Sequence, residues 1–95
     1  MQMESEDPAP LEYLTPKFIE SISVYSYRVE IKFKEGSKGY FSGEDEGLKH
    51  ALPSLFQAKL DGDPIEIGVN PEHHCLVKAI RLKNDVTFEK GLLTK

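Results

Sequence analysis

A strict alternation of apolar and charged residues runs from position 27 to position 34. The two kinds of residue take turns in the order Tyr27, Arg28, Val29, Glu30, Ile31, Lys32, Phe33 and Lys34. Successive side chains of a β-strand point to opposite faces, so one face of this segment would be apolar and the other charged. The pattern therefore predicts a strand of an antiparallel sheet that has one face in water.

Two further strands are predicted beside this segment. Ile22 and Val24 alternate with serines before it, and the break in the alternation after Val24 indicates a turn or bulge. After it, Gly36 can adopt the positive φ of a hairpin turn, and residues 38–41 follow as a third short strand. Three successive strands of this kind make a meander.

A helical segment is predicted over residues 42–60. Ser42 is a suitable N-cap, and acidic residues follow it in the first turn, where the helix dipole favours negative charge. Apolar residues then recur at helical spacing, at Leu48, Leu52, Leu55, Phe56 and Leu60. Because Pro53 lacks a backbone donor, we expect the segment to be kinked there or split into two short helices.

The chain beyond the helical segment returns to strand patterns. The turn-forming sequence Asp61-Gly62-Asp63 precedes three predicted strands, at residues 65–69, 76–82 and 86–88. Residues 91–95 are expected to be a frayed end. The elements together predict an α+β fold: an antiparallel β-sheet of five or six strands in β-β-β-α-β-β-β order, with the helical segment packed on one face.

The domain organisation and the core follow from the same patterns. Residues 1–16 contain three prolines and are predicted to be a flexible acidic tail, although Leu11, Tyr13 and Leu14 could dock on the domain formed by residues 17–95. The predicted core consists of Tyr27, Val29, Ile31, Phe33, Leu48, Leu52, Leu55, Phe56, Ile65, Ile67, Val69, Ile80, Leu82, Val86 and Phe88.

Charge and cysteine content exclude several classes of protein. The net charge is −4, of which Glu4, Glu6 and Asp7 supply −3, so the rest of the chain is almost neutral, which argues against direct binding of nucleic acid through phosphates. The single Cys75 allows no internal disulfide, and no apolar run is long enough for a membrane helix. The acidic start is unlike a secretory signal. We therefore expect a cytoplasmic protein that does not enter a membrane.

No group of residues indicates catalysis or metal binding. His73, His74 and Cys75 are types that bind metals, but three consecutive residues of an extended segment cannot all reach one ion. The helix start explains the acids after Ser42, and Asp61-Gly62-Asp63 lacks the other ligands of a calcium loop. Glycine-rich phosphate loops and hydrolase motifs are also missing from the sequence. We expect a protein that is not an enzyme and that has no metal ligand and no cofactor.

A candidate interaction surface lies on the charged face of the predicted meander. It consists of Arg28, Lys32, Lys34, Lys38 and Tyr40. The position of Glu30 among the basic residues favours an ordinary solvated face over a phosphate-binding one. Aromatic residues beside basic ones also suit contact with single-stranded nucleic acid or with a peptide.

Several stretches of the sequence resemble a known family. They are Phe18-Ile19-Glu20-Ser21-Ile22-Ser23-Val24, Tyr27-Arg28-Val29-Glu30-Ile31-Lys32-Phe33-Lys34-Glu35-Gly36, Ile80-Arg81-Leu82-Lys83-Asn84-Asp85-Val86 and Leu92-Leu93. Over residues 16–93 the chain is similar to a small bacterial group, the domain of unknown function family 2442. The resemblance implies a non-enzymatic accessory domain of the kind found beside helix-turn-helix segments or toxin–antitoxin-like genes.

The leading hypothesis for function is a protein-interaction or regulatory module. An unpaired sheet edge or a helix face would bind the partner, which we expect to be the product of a neighbouring gene or a second copy in a homodimer. One alternative is a domain that contacts nucleic acid through the basic strand face. A further alternative, which the sequence favours less, is a metal-binding protein that uses His73, His74 and Cys75.

Overall fold

The computed structural model describes residues 11–83, 85–87 and 90–94. Within these ranges it contains one helix and eight strands, which confirms the α+β class. The elements are β1 (Glu12–Tyr13), β2 (Ile19–Val24), β3 (Arg28–Phe33), β4 (Lys38–Ser42), α1 (Glu46–Asp61), β5 (Glu66–Asn70), β6 (His73–Leu82), β7 (Asp85–Thr87) and β8 (Gly91–Thr94). In this part of the chain, no helix has the length and apolar character needed to span a membrane.

The strands form a single sheet in which every pair is antiparallel. The order of neighbours is β1-β5-β6-β8-β4-β3-β2, and β7 also pairs with β6. The antiparallel sheet is as predicted, but the total of five or six strands and the β-β-β-α-β-β-β order are wrong. One additional strand precedes the meander, and another follows β7. These two strands are only two and four residues long, too short for an alternating pattern to stand out in the sequence.

Strand β8 lies in the middle of the sheet, so the expected frayed end is wrong for residues 91–94. It pairs with β4 from Gly91 to Thr94 and with β6 at Leu76–Leu92 and Val77–Gly91. In the described residues, this is the strand that joins the meander of β2, β3 and β4 to β5, β6 and β7. Backbone hydrogen bonds on both sides therefore order a segment whose composition alone does not mark it as structured.

The two ends of the strand order meet through the segment between β1 and β2. Lys17 and Ile65 exchange two backbone hydrogen bonds of 2.8 Å, which hold this segment alongside β5. Directly afterwards, the carbonyl of Phe18 accepts a hydrogen bond of 2.9 Å from Lys34, at the end of β3. The segment is thus paired with β5 in its first half and with β3 in its second, and the sheet curls around the core.

Strand β1 lies within the segment predicted to be a flexible tail. Residues 1–10 of that tail lie outside the described residues, but Tyr13 pairs with Gly68 of β5. A Cβ added at Gly68 would be 3.0 Å from the Tyr13 ring, and the guanidinium of Arg81 lies 3.9 Å from the centroid of the same ring. Gly68 therefore leaves space for an aromatic ring that docks β1 on the sheet.

An ion pair fastens the segment before β2 to the turn between β3 and β4. The Lys17 side chain is only 12% exposed, and its Nζ donates to Oε2 of Glu35. The other carboxylate oxygen of Glu35 accepts a hydrogen bond from the backbone amide of Ser37. Partial burial by itself would raise the pKa of Glu35, but the contacts with Lys17 and Ser37 outweigh burial and lower this pKa to about 2.

Helix α1 runs without a break through Pro53, so the predicted split into two short helices is wrong. Its N-cap is Asp45, whose side chain accepts a hydrogen bond of 3.1 Å from the amide of Leu48. Ser42, the predicted N-cap, instead accepts a hydrogen bond from the amide of Glu44 in the preceding turn. The left-handed C-cap Gly62, with φ of 73°, ends the helix in the predicted turn.

Burial of one face of α1 offsets the missing donor of Pro53. A proline inside a helix costs about 3 kcal/mol, whereas each fully buried leucine contributes roughly 1.5–3 kcal/mol. Pro53 itself is exposed, and the buried residues of the helix are Leu48, Ala51, Leu55 and Ala58.

The core lies between α1 and the concave face of the sheet, and most of its predicted members are buried. Leu52 is half-buried, and Phe88 lies outside the described residues. Three predicted core residues are exposed, namely Tyr27 (79%), Phe56 and Val86. Tyr27 is in the turn before β3, Phe56 faces away from the sheet, and Val86 is opposite Arg81 on the side of the sheet away from α1. The core residues that the pattern missed are Ile19, Phe41, Ala51, Ala58, Val77 and Ala79.

A substitution at Gly91 tests whether β8 occupies the centre of the sheet. A Cβ added at this position would lie 2.5 Å from the Phe41 ring and 2.6 Å from the carbonyl oxygen of Tyr40. We expect Gly91→Ala to lower the free energy of unfolding by about 1–3 kcal/mol, because β8 must shift away from β4. Urea denaturation provides the measurement, with Leu92→Ala, a half-exposed position on the same strand, as a control that changes it by about 1 kcal/mol or less. Equal effects of the two substitutions would contradict a central β8.

Glu35 makes stability dependent on pH. Its folded-state pKa of about 2 lies below the ordinary value of 4.5, so its contribution is complete above pH 4.5 and is lost as the pH falls towards 2. We expect Glu35→Gln to lower the free energy of unfolding by about 0.5–1 kcal/mol at pH 7 and the difference to shrink below pH 4.5. Urea titrations between pH 7 and 3 measure this. Glu20→Gln, whose carboxylate is 3.8 Å from Lys32 at an exposed site, is the control and should change less. A difference that is constant with pH would rule out the ion pair as its cause.

Candidate functional site

The face of the sheet opposite α1 carries the predicted interaction residues. Because Val29, Ile31 and Phe33 of β3 point into the core, the alternate residues of this strand point away from the helix. We call this surface the helix-free face. It combines side chains from β3, β4, β8 and β6, which are neighbours in the sheet although β8 and β6 are far from β3 in the sequence.

An apolar stripe crosses the middle of the helix-free face. Tyr40 of β4 is directly opposite Leu92 of β8, and Leu92 is directly opposite Leu76 of β6. Leu92 is 50% exposed and Leu76 is 36% exposed, while Tyr40 is half-buried. Directly opposed side chains on adjacent strands contact one another, so these three residues form one continuous apolar surface, the apolar stripe.

Lysines line one side of the apolar stripe. Lys32 of β3 is directly opposite Lys38 of β4, and Lys38 is opposite Thr94 of β8. Like charges that face each other across strands destabilise a sheet. The nearest acidic side chain to Lys32 is Glu20 at 3.8 Å, at the edge of the sheet. The arrangement therefore places two opposed lysines next to the apolar stripe at some cost in stability, while Glu30, which pairs with Arg28, is directly opposite Tyr40.

The other basic residues of the predicted surface differ in their surroundings. Arg28 Nε forms an ion pair of 2.6 Å with Glu30 on the same strand, and its guanidinium lies 5.2 Å from the ring centroid of Tyr25. Lys34 is exposed in the turn after β3 and lies beyond the paired strand. The structure thus brings Lys32, Lys38 and Tyr40 together, whereas Arg28 is engaged with its neighbours and Lys34 lies at the end of the strand.

Leu76 and Leu92 are the members of this surface that the sequence pattern missed. Their alternation with Val77 and with Leu93 places them on the helix-free face once β6 and β8 are paired. The sequence carries no period-two signal at residues 91–94, because the two leucines are adjacent. The alternation becomes visible only in the structure, where Leu92 is exposed and Leu93 is half-buried.

Two smaller groups of exposed apolar residues lie elsewhere. Val24, Tyr25 and Tyr27 are exposed at the turn that ends β2, which is the last strand of the sheet order. Phe56 and Leu60 are exposed on α1. These groups correspond to the sheet edge and the helix face that the sequence suggested for binding, but each is confined to a single turn or helix.

The histidines and the cysteine do not form a metal site. His74 Nε2 lies 3.0 Å from Oε1 of Glu12, so β1 provides its partner, and Cys75 is a free, exposed thiol. Among residues 11–83, 85–87 and 90–94, no three metal-binding side chains lie close enough to hold an ion.

The fold and this face together define a small α+β domain with a curved antiparallel sheet, one face of which is covered by helix α1. The sequence matches no family model, and no curated protein or solved structure is significantly similar to it. The resemblance to family 2442 therefore stays a prediction.

The Lys32–Lys38 pair allows the strain on this face to be measured. We expect Lys38→Glu to raise the free energy of unfolding by about 0.5 kcal/mol at low salt, because repulsion across the strands becomes attraction. Lys90→Glu makes the same change in net charge at an exposed position outside the described strands and serves as the control. The gain should fall in 1 M salt, as measured by urea denaturation. A loss of stability with Lys38→Glu would show that the lysines do not repel each other.

Proposed function

We propose that this chain is a non-enzymatic protein-interaction domain of the cytoplasm whose binding surface is the helix-free face. The observation that supports it best is the apolar stripe of Tyr40, Leu92 and Leu76, which runs across three strands without cover from the helix. Protein interfaces commonly have an apolar centre, with tyrosine enriched, surrounded by a polar rim. Leu92 lies on a strand that is paired on both sides, so the backbone beneath the apolar centre is held in place.

The charges around the stripe favour a partner with an acidic rim. Lys32 and Lys38 stand beside Tyr40, and their mutual repulsion would be relieved by carboxylates on a bound protein. A second copy of this chain brings the same lysines and is less suited to this face than a different protein. The product of a neighbouring gene is the partner class that agrees with the accessory role implied by the resemblance to family 2442.

Nucleic acid is a second candidate ligand, because Tyr40 lies next to two lysines. A base could stack on the exposed part of the tyrosine ring while the lysines contact phosphates. The ion pair between Arg28 and Glu30 reduces the positive charge available for this purpose. The nearly neutral domain also favours a protein partner.

Leu92→Asp tests the proposal. Affinity capture from the native host, followed by mass spectrometry, should yield at least one protein with wild type that Leu92→Asp does not retain. Leu60→Asp makes the same change on α1, away from the face, and should retain it. With the purified partner, Leu92→Asp should weaken binding by about tenfold or more in calorimetry, as expected for the centre of an interface. Equal binding by the two variants would exclude the helix-free face.

Binding to random single-stranded oligonucleotides separates the two candidates. A protein-interaction domain should bind them weakly at 150 mM salt and without dependence on Tyr40. If the affinity is high, falls steeply with salt and is reduced by Tyr40→Ala, nucleic acid is the ligand.

A further inference from the structure

Strands β6 and β8 separate from each other just beyond the apolar stripe. They pair at Val77–Gly91 and Leu76–Leu92, but the pairing stops there, although both strands continue. In a regular antiparallel ladder, Cys75 would come next opposite Leu93, and His74 would follow opposite Thr94. The two strands instead form a fork that opens towards the turn between β3 and β4.

The fork leaves strand edges without partners on both sides. Leu93 and Thr94 pair with Gly39 and Lys38 of β4, but within the described residues they have no strand partner on the side of β6. Alternate residues of a strand direct their backbone groups to opposite neighbours, so one of these two presents its N–H and C=O to the fork. Extended chains with unsatisfied backbone groups are the usual sites of strand addition.

A cleft of about 550 Å³ occupies the fork. Cys75 and His74 line it from β6, and Leu93 and Thr94 line it from β8. The other lining residues come from the segment before β2 and from the turn after β3, and they are Leu14, Thr15, Lys17, Glu35 and Ser37. The volume lies within the roughly 300–1,000 Å³ that is typical of ligand sites.

A buried hydroxyl in this cleft lacks a hydrogen-bond partner. Ser37 is 4% exposed, and its Oγ has no partner among the described residues. The hydroxyl lies close enough to Glu35 to help lower the pKa of that carboxyl group, but its geometry does not meet that of a hydrogen bond. A buried hydroxyl without a partner is costly, so a ligand with a hydrogen-bond acceptor would stabilise the site.

The charges in the cleft cancel. Lys17 and Glu35 form an ion pair, and both oxygens of the Glu35 carboxylate are occupied, by Lys17 and by the amide of Ser37. A charged ligand would have to face one member of this pair with the same sign. The cleft is thus suited to a neutral ligand that can accept hydrogen bonds.

We propose that the fork between β6 and β8 binds a short, uncharged, extended segment of another polypeptide, which adds a strand to the edge of β8. A peptide backbone is neutral and offers carbonyl acceptors to the Ser37 hydroxyl and to the free edge. Side chains on one side of the added strand would face Leu14 and Leu93, and those on the other side would face Thr94 and water. The segment therefore alternates apolar and uncharged polar residues. This site is distinct from the helix-free face and does not depend on the function proposed for it.

The only cysteine of the chain lies in the fork and makes the test direct. The full chain is incubated, in excess 2-mercaptoethanol, with eight-residue peptides whose single central cysteine is disulfide-bonded to 2-mercaptoethanol. The Cys75 thiolate attacks the peptide sulfur and 2-mercaptoethanol leaves as the thiol, and mass spectrometry measures the fraction of the chain that is linked to peptide. Four sets are compared: uncharged alternating, the same residues scrambled, acidic and basic. We expect the uncharged alternating set to be captured at Cys75 about tenfold more than the others. The control protein combines Cys75→Ser with Val86→Cys, which places the thiol on exposed β7, and it should show no preference. Absence of a preference at Cys75 overturns the proposal.

Amide hydrogen exchange then distinguishes strand addition from binding in a side-chain pocket. The best peptide is resynthesised with serine in place of cysteine and added to the wild-type chain. Exchange at the amide of Leu93 or of Thr94 should slow by about fivefold or more, because one of them gains a hydrogen bond to the peptide. Binding without such protection would show a side-chain pocket instead and would also overturn the proposal.

Discussion

The pairing of β8 with both β4 and β6 is the interaction on which the rest of the structure depends. The meander of β2, β3 and β4 and the group of β5, β6 and β7 each have too few strands to enclose a core alone. With β8 between them they form one curved sheet, and α1 fills its concave face. Glycine at position 91 is required for this arrangement, because the Phe41 ring occupies the space that any side chain would need.

The position of β8 also explains why the helix-free face has an apolar centre. Period-two alternation places Leu93 on the core side, so Leu92 must point outwards, between Tyr40 and Leu76. A central strand cannot turn this residue away without losing the burial of its neighbour. The function proposed above accounts for an apolar residue in this position, since a polar residue at 92 would leave the core unchanged.

Sequence patterns predicted the parts of the fold in which local and long-range signals agree. The alternation of apolar and charged residues in β3 and the helical spacing of apolar residues in α1 each place one face of the element in the core. Both elements and most of their core residues could therefore be assigned from the sequence. Strands β1 and β8 could not be assigned from the sequence, because segments of two and four residues carry little periodicity. Both strands are ordered by partners that are distant in the sequence. The split expected at Pro53 was wrong for a related reason. The free-energy cost of a proline in a helix is local, whereas the packing that offsets this cost comes from the sheet. For the candidate site, Lys32, Lys38 and Tyr40 were found from the charged face of the meander, but Leu76 and Leu92 join them only through the β6–β8 pairing.

Strand β8 therefore restricts which substitutions the chain can tolerate. Leu92 belongs to the apolar stripe of the helix-free face, Gly91 allows close approach of Phe41, and Leu93 and Thr94 form one wall of the fork. Its residues cannot be exchanged independently, because a shift of one position in register would move Leu92 into the core and Leu93 onto the surface. The end of the pairing after Leu76 is equally informative. Both strands extend beyond this pair, to His73 in β6 and to Thr94 in β8. The fork thus leaves the β6–β8 ladder shorter than the two strands, and the strand addition proposed above would extend the sheet at this point.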